Sequence, residues 1–470
     1  MPEIVTADNV SIELIEKALN KVEEIWETNP NWKHVFVSYK EVNGEPNKQL
    51  SITLGVDEKI ENVSSEDKFP ESFTIDDSIF VSDVVEMDMP EVDRCNTLPT
   101  PGTSENTWVM PASGSRTTHR PLKGGLSVGT IPSNGWGGGY INTGTLGGLA
   151  VDLDDYTLVG VSNNHVLGGR LVYGGIAGAY YNSTYDKTWW SFLSADEVST
   201  GQTTARFPVI QRSSYDQYSS SWAGNSSNLV GTVKGAIPFV DNAFGSPYNR
   251  VDVATFALDP SVPNLSSTTS NWQQYSMDYQ TPMEWATKAE IFSLLSSELG
   301  APIYKAGRTE GPVGWPGSAP YGESCKLSAF SLGSISVNMS GNLGSLPFSS
   351  QIAFRSNQGT DLPASSGGDS GSFVCALLSA NNPALSAWKV VGLNFAGNSG
   401  NGNGYANYIS NVAHEMRLSA YMGDEIGIGY KGYDMQVVEG RQTELSAMIG
   451  GKVYWQAGST SSPATTSFDP

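Results

Sequence analysis

The sequence predicts a mainly β protein, and three observations support that expectation. The 470 residues include 51 Gly and 25 Pro, which end strands and form tight turns. Only 16% of the residues are charged, fewer than long surface helices rich in Glu and Lys would supply. Between residues 121 and 423, short apolar runs recur between Gly-rich turns, a pattern typical of a β-sandwich or barrel.

The first 92 residues predict a small α+β domain. Residues 11–27 place apolar side chains on one side at helical spacing, with acids and lysines opposite. Residues 33–56 alternate apolar and polar side chains and break at Asn43-Gly44, a pair suited to a turn with positive φ. A further alternating run at 77–88 completes this domain, 1–92.

Three more segments follow along the chain. Residues 93–120 lack periodicity and are rich in Thr, Pro, Ser and Gly, which predicts a linker or a strap on the next domain. Residues 121–423 form the main β domain, closed by a helix predicted at 411–423. Residues 424–470 are too few for a separate core and are expected to pack on the main body or on another subunit, with a mobile tail.

Charge and composition exclude several kinds of partner. The net charge is −21 and no dense basic run is present, which argues against nucleic acid and anionic membranes. The start resembles no secretory signal and no run of about 20 apolar residues occurs, so we expect a cytoplasmic location, with a virion as the other option. The sequence suggests no metal and no cofactor. Cys325 and Cys375 would pair only in an oxidising compartment, and a reduced thiol is the expectation.

Among the four histidines, His165 is the candidate catalytic residue. It follows a predicted buried strand and an Asn-Asn turn, so it should be held rigidly and still reach a cleft. The other three have surroundings that suit surface or structural roles: His34, His119 and His414. A histidine of this kind is by itself more often structural than catalytic, so an acid and a nucleophile are needed beside it.

The sequence offers one candidate for each of these two groups. Asp252 begins the alternating run VDVATFAL, which would fix it at a strand edge. Ser370 lies in GGDSGSFV, where flanking glycines allow a sharp turn. Such a turn would point the amides of Gly368 and Ser370 to one side, as an oxyanion hole requires. Read alone, the tetrapeptide Gly368-Asp369-Ser370-Gly371 is far more often an ordinary polar turn than a catalytic one.

These motifs, VSNNHVL, VDVATFAL and GGDSGSFV, resemble those of the chymotrypsin/trypsin-like serine peptidases, in the same His, Asp, Ser order. IYKAGRTEG (303–311) looks like the opening of the second barrel in bacterial members, and KVVGLNFAGN (389–398) resembles the substrate-binding strand. GYANYI (404–409) is similar to the strand behind the specificity pocket. RPLKGGLSVG (120–129) looks like the barrel entry of the bacterial and plant Narrow leaf-type trypsin-like subgroup.

The resemblance implies a fold and a set of roles. The fold would be a double six-stranded β-barrel of the trypsin-like type, with the catalytic residues in the crevice between the barrels. His165 would be the general base, Asp252 would orient its ring and Ser370 would attack. The resemblance also assigns the oxyanion hole to the amides of Gly368 and Ser370. Substrate would bind at Ala364, Phe395, Ala396 and Gly397.

Four departures from the family pattern bear on this assignment. The usual Ala-Ala before the histidine is Asn163-Asn164, and a long insertion spans residues 170–245. The position that carries an acid in trypsin-type enzymes is Ala364, so a preference for Lys or Arg is not supported, although Asp361 is near in sequence. No processed N-terminus is evident to pair with Asp369, which is expected to bond local backbone amides instead.

The sequence therefore supports two functions. The first is a serine endopeptidase that cleaves a polypeptide substrate through an acyl-enzyme. The second is a structural or assembly protein, with a virion as one setting, in which the barrels are a scaffold and cleavage is limited to processing or absent. A homo-oligomer or assembly partner would bind through the N-terminal domain, the 170–245 insertion or the C-terminal extension. An esterase of the α/β-hydrolase kind is disfavoured, because its order is Ser, Asp, His.

Overall fold

Alternating apolar side chains form strands through most of the part of the chain that the structure describes, as the sequence predicted. The computed structural model describes the following residues: 2–29, 32–43, 45–60, 63, 68–92, 122, 124–130, 143–154, 157–167, 208–211, 229–237, 239, 249–259, 284–296, 300–309, 311–313, 326–339, 344–357, 363–378, 388–398, 400–420, 453–456 and 465–468. The mainly β class is confirmed.

The N-terminal region combines one helix with six strands. Its elements are β1 (Glu3–Ile4), α1 (Ile12–Thr28), β2 (His34–Val42), β3 (Glu45–Val56), β4 (Ser72–Ile75), β5 (Ser78–Glu86) and β6 (Glu91–Val92). Helix α1 begins where predicted, because the Ser11 hydroxyl accepts a hydrogen bond from the Leu14 amide at 3.1 Å. The predicted turn is confirmed at Asn43, whose φ is 57°.

The strands of the first barrel pair in a closed ring. Its elements are β7 (Leu126–Thr130), β8 (Thr143–Leu146), β9 (Gly148–Asp152), β10 (Leu158–Ser162), α2 (Asn164–Leu167), β11 (Pro208–Gln211), β12 (Leu229–Ala236) and β13 (Ala254–Leu258). Only Gly147 separates β8 from β9, so the two make one bent strand. The pairing then runs β7, β8/β9, β10, β13, β12, β11 and back to β7, which closes six strands.

The second barrel closes in the same way. Its elements are α3 (Lys288–Phe292), the 3-10 turn Ser293–Leu295, β14 (Pro302–Gly307), β15 (Gly311–Val313), β16 (Leu327–Asn338), β17 (Ser345–Ser356), β18 (Phe373–Leu377), β19 (Trp388–Gly397) and β20 (Gly404–Tyr408). Strands β16, β17, β20, β19, β18 and β14 pair in that order, and β14 pairs again with β16. The strand pairing confirms the expected double six-stranded β-barrel.

The N-terminal strands are joined to the second barrel. Strand β2 pairs antiparallel with β16, with Ser38 opposite Ser331 and His34 opposite Ile335. Strands β3 and β5 continue the same sheet beyond β2. The sheet therefore crosses the boundary that the sequence predicts after residue 92.

The closing helix is shorter than predicted. Helix α4 (Ile409–Met416) ends at Arg417, which has a φ of 51° in the left-handed region. The next residues form β21 (Leu418–Ala420), which pairs with β9 of the first barrel. The prediction of a helix over 411–423 is therefore wrong over residues 417–420, because the chain reverses there to join a sheet, and residues 421–423 lie outside the described part of the chain.

Several sequence predictions fall outside the described residues. These are the 93–120 strap, most of the 170–245 insertion, Asp361, Cys325 and most of the C-terminal extension. Two strands of that extension are described, β22 (Val453–Gln456) and β23 (Thr465–Phe468), and they pair antiparallel. Cys375 is a buried thiol, and burial raises its pKa to about 12. Within the described part of the chain, no helix combines the length and apolar character needed to cross a membrane.

His34 is buried at the junction of β2 and β16, and we expect it to make the stability depend on pH. Neither ring nitrogen has a hydrogen-bond partner among the described residues, and burial lowers its pKa from 6.5 to about 4. Below pH 6.5 the unfolded chain binds a proton that the folded chain does not, so stability falls as the pH drops towards 4. Between pH 7 and 4.5 the wild type should lose about 2 kcal/mol more than His34→Leu, at 1.36 kcal/mol per pKa unit.

Urea denaturation of both proteins at the two pH values measures this difference. The same substitution at His414, whose side chain is 62% exposed, is the control and should leave the pH-dependent loss unchanged. Equal losses for wild type and His34→Leu would show that burial of His34 has no such effect.

Candidate active site

His165 is positioned by a short helix at the end of a buried strand. Strand β10 ends at Ser162, and the Asn163 carbonyl accepts hydrogen bonds from the amides of Val166 (3.2 Å) and Leu167 (3.0 Å), which starts α2. The His165 side chain is 3% exposed. Its place in the structure is therefore fixed by the backbone on both sides.

The Asn-Asn pair before the histidine has a structural explanation. The Asn163 side-chain amide donates to the Asp252 carbonyl at 2.6 Å, and that of Asn164 donates to the Ile237 carbonyl at 2.7 Å. The first contact ties the start of α2 to Asp252 and the second ties it to the residue after β12, which two alanines could not do. This departure from the family pattern therefore strengthens the site locally.

Asp252 contacts His165 through both carboxylate oxygens. Its Oδ2 lies 2.5 Å from His165 Nδ1, and its Oδ1 accepts from the His165 backbone amide at 3.1 Å. A carboxylate accepts hydrogen bonds, so this contact favours the tautomer that carries the proton on Nδ1 and the lone pair on Nε2. Asp252 is fully buried and lies two residues before β13.

The second barrel holds Asp252 in this place. The Asp252 amide donates to the Asn407 side-chain oxygen at 2.8 Å, and Asn407 in turn donates to the Gln351 side chain at 2.7 Å. Gln351 also donates to the Arg250 carbonyl at 3.0 Å. The acid therefore belongs to the first barrel by sequence but is oriented by β17 and β20 of the second.

Ser370 lies on a sharp turn before β18. Gly368 has a φ of 101° and Gly371 a φ of 95°, values that L side chains rarely adopt. The Gly371 amide donates to the Asn394 carbonyl at 2.8 Å, which fixes the turn to β19. The Ser370 hydroxyl donates to the Phe395 carbonyl at 3.1 Å. Glycine on each side of the serine is thus required by the backbone.

Strand β8 brings the serine turn close to the histidine helix. A Cβ added to Gly144 would lie 2.5 Å from Val166 Cγ2 and 2.7 Å from the Ser370 carbonyl oxygen, so both elements pack on this glycine. The next residue, Thr145, donates from its amide to the Ser370 carbonyl at 2.7 Å. The backbone of Ser370 and helix α2, which carries His165, therefore both pack against strand β8 of the first barrel.

The peptides that carry the two predicted oxyanion amides are held by neighbouring groups. The Gly367 carbonyl accepts from the Thr309 hydroxyl at 2.7 Å, and the Asp369 carbonyl accepts from the Ser372 amide at 3.0 Å. Because the carbonyl and the following N–H of a trans peptide point in opposite directions, the Gly368 amide points away from Thr309. The Ser370 amide likewise points away from the Ser372 amide.

Asp369, the residue before the serine, forms a buried ion pair. Its Oδ2 accepts from the Lys305 ammonium, and its Oδ1 accepts from the Thr309 amide at 2.7 Å. Both charged side chains are fully buried. A backbone amide does bond the Asp369 side chain, but it belongs to Thr309, 60 residues earlier, and is not the local amide that was expected. A lysine from β14 supplies the positive charge that the sequence did not identify.

The predicted substrate-binding residues lie along β19 and beside the serine turn. Ala364 is fully buried, and its amide donates to the Gly402 carbonyl at 2.7 Å. Next to it, the Asn394 side chain donates to the Ser365 hydroxyl at 2.8 Å, a polar pair that the sequence did not suggest. The other three predicted residues form the end of β19: Phe395, Ala396 and Gly397.

Four side chains that build the site were not identified from the sequence: Thr145, Lys305, Thr309 and Asn407. Lys305 and Thr309 belong to the quoted IYKAGRTEG motif. The motif therefore marked these residues, but it did not show what their side chains contact. Asn407 likewise belongs to the quoted GYANYI motif, whereas Thr145 has no local pattern that marks it. Among the described residues, no group of three or more His, Cys, Asp or Glu side chains could hold a metal ion.

Comparisons with known proteins find likeness in structure only. No protein-family model matches the chain, and no curated protein does. Protease A of Thermobifida fusca has a TM-score of 0.32 at 11% identity, with 64% of this chain and 99% of that chain covered. A Nocardiopsis protease has 0.32 at 12%, covering 64% and 99%, and a glutamic acid specific serine protease has 0.32 at 14%, covering 64% and 100%. With TM-scores this low, the fold described above rests on the strand pairing of this chain.

Proposed function

We propose that the chain is a serine endopeptidase that cleaves peptide bonds through an acyl-enzyme. The observation that carries this proposal is the contact of Asp252 with both the ring and the backbone amide of His165. That contact supports Nε2 as the basic nitrogen, and the Ser370 carbonyl packs on the same glycine, Gly144, as the helix that carries His165. The resemblance to trypsin-like peptidases, including the Narrow leaf-type subgroup, is part of the proposal.

The proposed reaction begins when the hydroxyl of Ser370 rotates towards His165. Ser370 Oγ turns from the Phe395 carbonyl towards His165 and transfers its proton to Nε2 as it attacks the substrate carbonyl carbon. The negative charge that forms on the carbonyl oxygen is stabilised by the amides of Gly368 and Ser370. Asp252 stabilises the imidazolium by accepting from Nδ1, and it stays ionised.

The second half of the reaction reverses these transfers. The C–N bond breaks, and the leaving amine takes the proton from His165 Nε2, which leaves the acyl group on Ser370. Water then gives a proton to Nε2 and attacks the acyl carbon. The serine recovers its proton as the C–O bond breaks and the carboxylic acid product leaves. Ala364 places no charge at the predicted pocket, so we propose uncharged side chains before the cleaved bond.

A fluorophosphonate probe tests this proposal directly. We expect the folded wild type to be labelled at Ser370, and Ser370→Ala and His165→Ala to lose the label, since one removes the nucleophile and the other its base. Ser366→Ala, in the same loop, is the matched control and should keep it. Mass spectrometry of the labelled peptide locates the adduct.

A folded wild-type protein that the fluorophosphonate does not label would contradict the peptidase proposal. That outcome would favour the alternative of a structural or assembly protein with a barrel scaffold. The same alternative predicts that Ser370→Ala assembles normally while the wild type cleaves nothing. Loss of processing in Ser370→Ala would count against it.

A further inference from the structure

A short N-terminal strand occupies the edge of β19 beside the candidate nucleophile. Strand β6 pairs antiparallel with the end of β19, with Val92 opposite Ala396 and Glu91 opposite Gly397. The other edge of β19 is taken by β20 as far as Gly397. Strand β6 therefore lies on the same edge that β18 occupies at the start of β19.

The serine turn uses this edge immediately before β6. The Gly371 amide donates to the Asn394 carbonyl, and the Ser370 hydroxyl donates to the Phe395 carbonyl. The next residue of β19, Ala396, is the one that Val92 faces. The candidate nucleophile and β6 therefore contact successive residues along the same edge of β19.

The direction of β6 is the direction that a substrate needs. Because Glu91 faces Gly397 and Val92 faces Ala396, the chain runs towards Phe395 and the serine. The residues on the amino side of a bond cleaved by Ser370 would extend along this edge in the same sense, since they precede the reacting carbonyl. Addition of an extended strand to a sheet edge is a common mode of peptide recognition.

Specific contacts hold the segment 88–92 in place. The Asn338 amide donates to the Pro90 carbonyl at 2.8 Å, and its side chain donates to Glu91 Oε1 at 3.3 Å. The Asn398 side chain donates to the Asp88 carbonyl at 2.7 Å. Val92 is 4% exposed and belongs to an apolar cluster with Phe395, Ala396 and Tyr405. The segment is therefore bound through both backbone and side chains.

Resting on the proposed peptidase function, we infer that residues 88–92 are a built-in competitor for the substrate-binding edge. A segment attached to the same chain acts at an effective concentration in the mM range, so an external peptide must displace it. Ser370 has no exposed surface, in keeping with a covered site. Release of this segment would open the edge to extended polypeptides.

Val92→Lys tests the inference without any need for activity. The lysine places a charge in the apolar cluster and should release β6. A fluorescein-labelled peptide with the sequence of residues 86–92, EMDMPEV, should then bind the full-length variant at least about tenfold more tightly than the wild type, a change that corresponds to about 1.4 kcal/mol. Fluorescence polarisation measures the two dissociation constants.

Val42→Lys is the matched control, because Val42 is 48% exposed and pairs with Glu45 in the β2–β3 hairpin. It should bind the peptide as weakly as the wild type. If Val92→Lys is folded and binds the peptide no more tightly than the wild type, β6 does not compete for this edge and the inference is overturned.

A second variant covers the case in which Val92→Lys does not fold. Glu91 and Asn338 are paired residues of neighbouring strands, so Glu91→Cys with Asn338→Cys can lock β6 in place. The oxidised protein should bind the EMDMPEV peptide at least about tenfold more weakly than the reduced protein. Equal binding in the two states would overturn the inference. Fluorophosphonate labelling tests the peptidase proposal separately, so the two failures are distinguishable.

Discussion

Asp252→Asn should lower the rate of fluorophosphonate labelling at Ser370 by about 10⁴-fold, the size of the effect known for this substitution in a Ser-His-Asp triad. The cause is the pair of donors that Asp252 faces. Its Oδ1 accepts from the His165 amide and its Oδ2 lies against Nδ1. Asparagine has only one oxygen, so one of the two donors must meet an NH₂ group.

The backbone donor decides how the asparagine is oriented. The His165 amide always carries its hydrogen, so the asparagine oxygen faces it and the NH₂ group faces Nδ1. The ring then accepts at Nδ1 and carries its proton on Nε2, which removes the base that Ser370 needs. The loss therefore comes from the wrong tautomer, while the packing is retained.

Thermal unfolding and labelling kinetics together test this expectation. The melting temperature of Asp252→Asn should stay near that of the wild type while the labelling rate falls. Asp154→Asn, on the same barrel, is the control and should keep the wild-type rate, because Asp154 pairs with Arg417 away from the site. A rate within tenfold of the wild type in Asp252→Asn would show that the tautomer is not set by this contact.

Lys305→Met should destabilise the protein by about 3–5 kcal/mol, because it leaves the buried Asp369 carboxylate without its ion-pair partner. Both side chains are fully buried, so water cannot replace the ammonium group. Asp369 also precedes Ser370 and accepts from the Thr309 amide. The labelling rate should therefore fall as well, since the turn loses one of its anchors.

A double-mutant cycle separates the ion pair from the packing. Lys305→Met with Asp369→Asn should be more stable than Lys305→Met alone, because the unpaired charge is gone. Lys17→Met is the surface control, since the Lys17 side chain is 42% exposed, and its urea midpoint should stay at the wild-type value. A Lys305→Met midpoint equal to the wild type would contradict a structural role for this pair.

The sequence was sufficient for features that depend on neighbours in the chain. The alternation of apolar and polar side chains over residues 33–56 predicted the hairpin. Asn43 has a positive φ there, a conformation that asparagine adopts more readily than most residues. The glycines around Ser370 predicted a sharp turn for the same reason, because a φ near 100° excludes other residues. The order of the motifs around His165, Asp252 and Ser370 then predicted that these three distant segments form one site.

Features that depend on contacts between distant segments were not predictable from the sequence. Thr145 holds the serine turn, yet nothing around it distinguishes this threonine from others in β-rich segments. The joining of β2 to β16 and of β6 to β19 depends on which strand edges remain open after the barrels close. The helix predicted over 411–423 was wrong at residues 417–420, because residues 418–420 form β21 and pair with the edge of β9.

The pairing of β2 with β16 also has a consequence for synthesis of the chain on the ribosome. Residues 34–38 pair with residues 331–335, about 300 residues later. At about 5–20 residues per second, the first of these strands leaves the ribosome roughly 15–60 s before its partner does. During that interval β2 has an open hydrogen-bonding edge with apolar side chains, which is a template for aggregation. Chaperone binding to the nascent N-terminal region would protect this edge until the second barrel is complete.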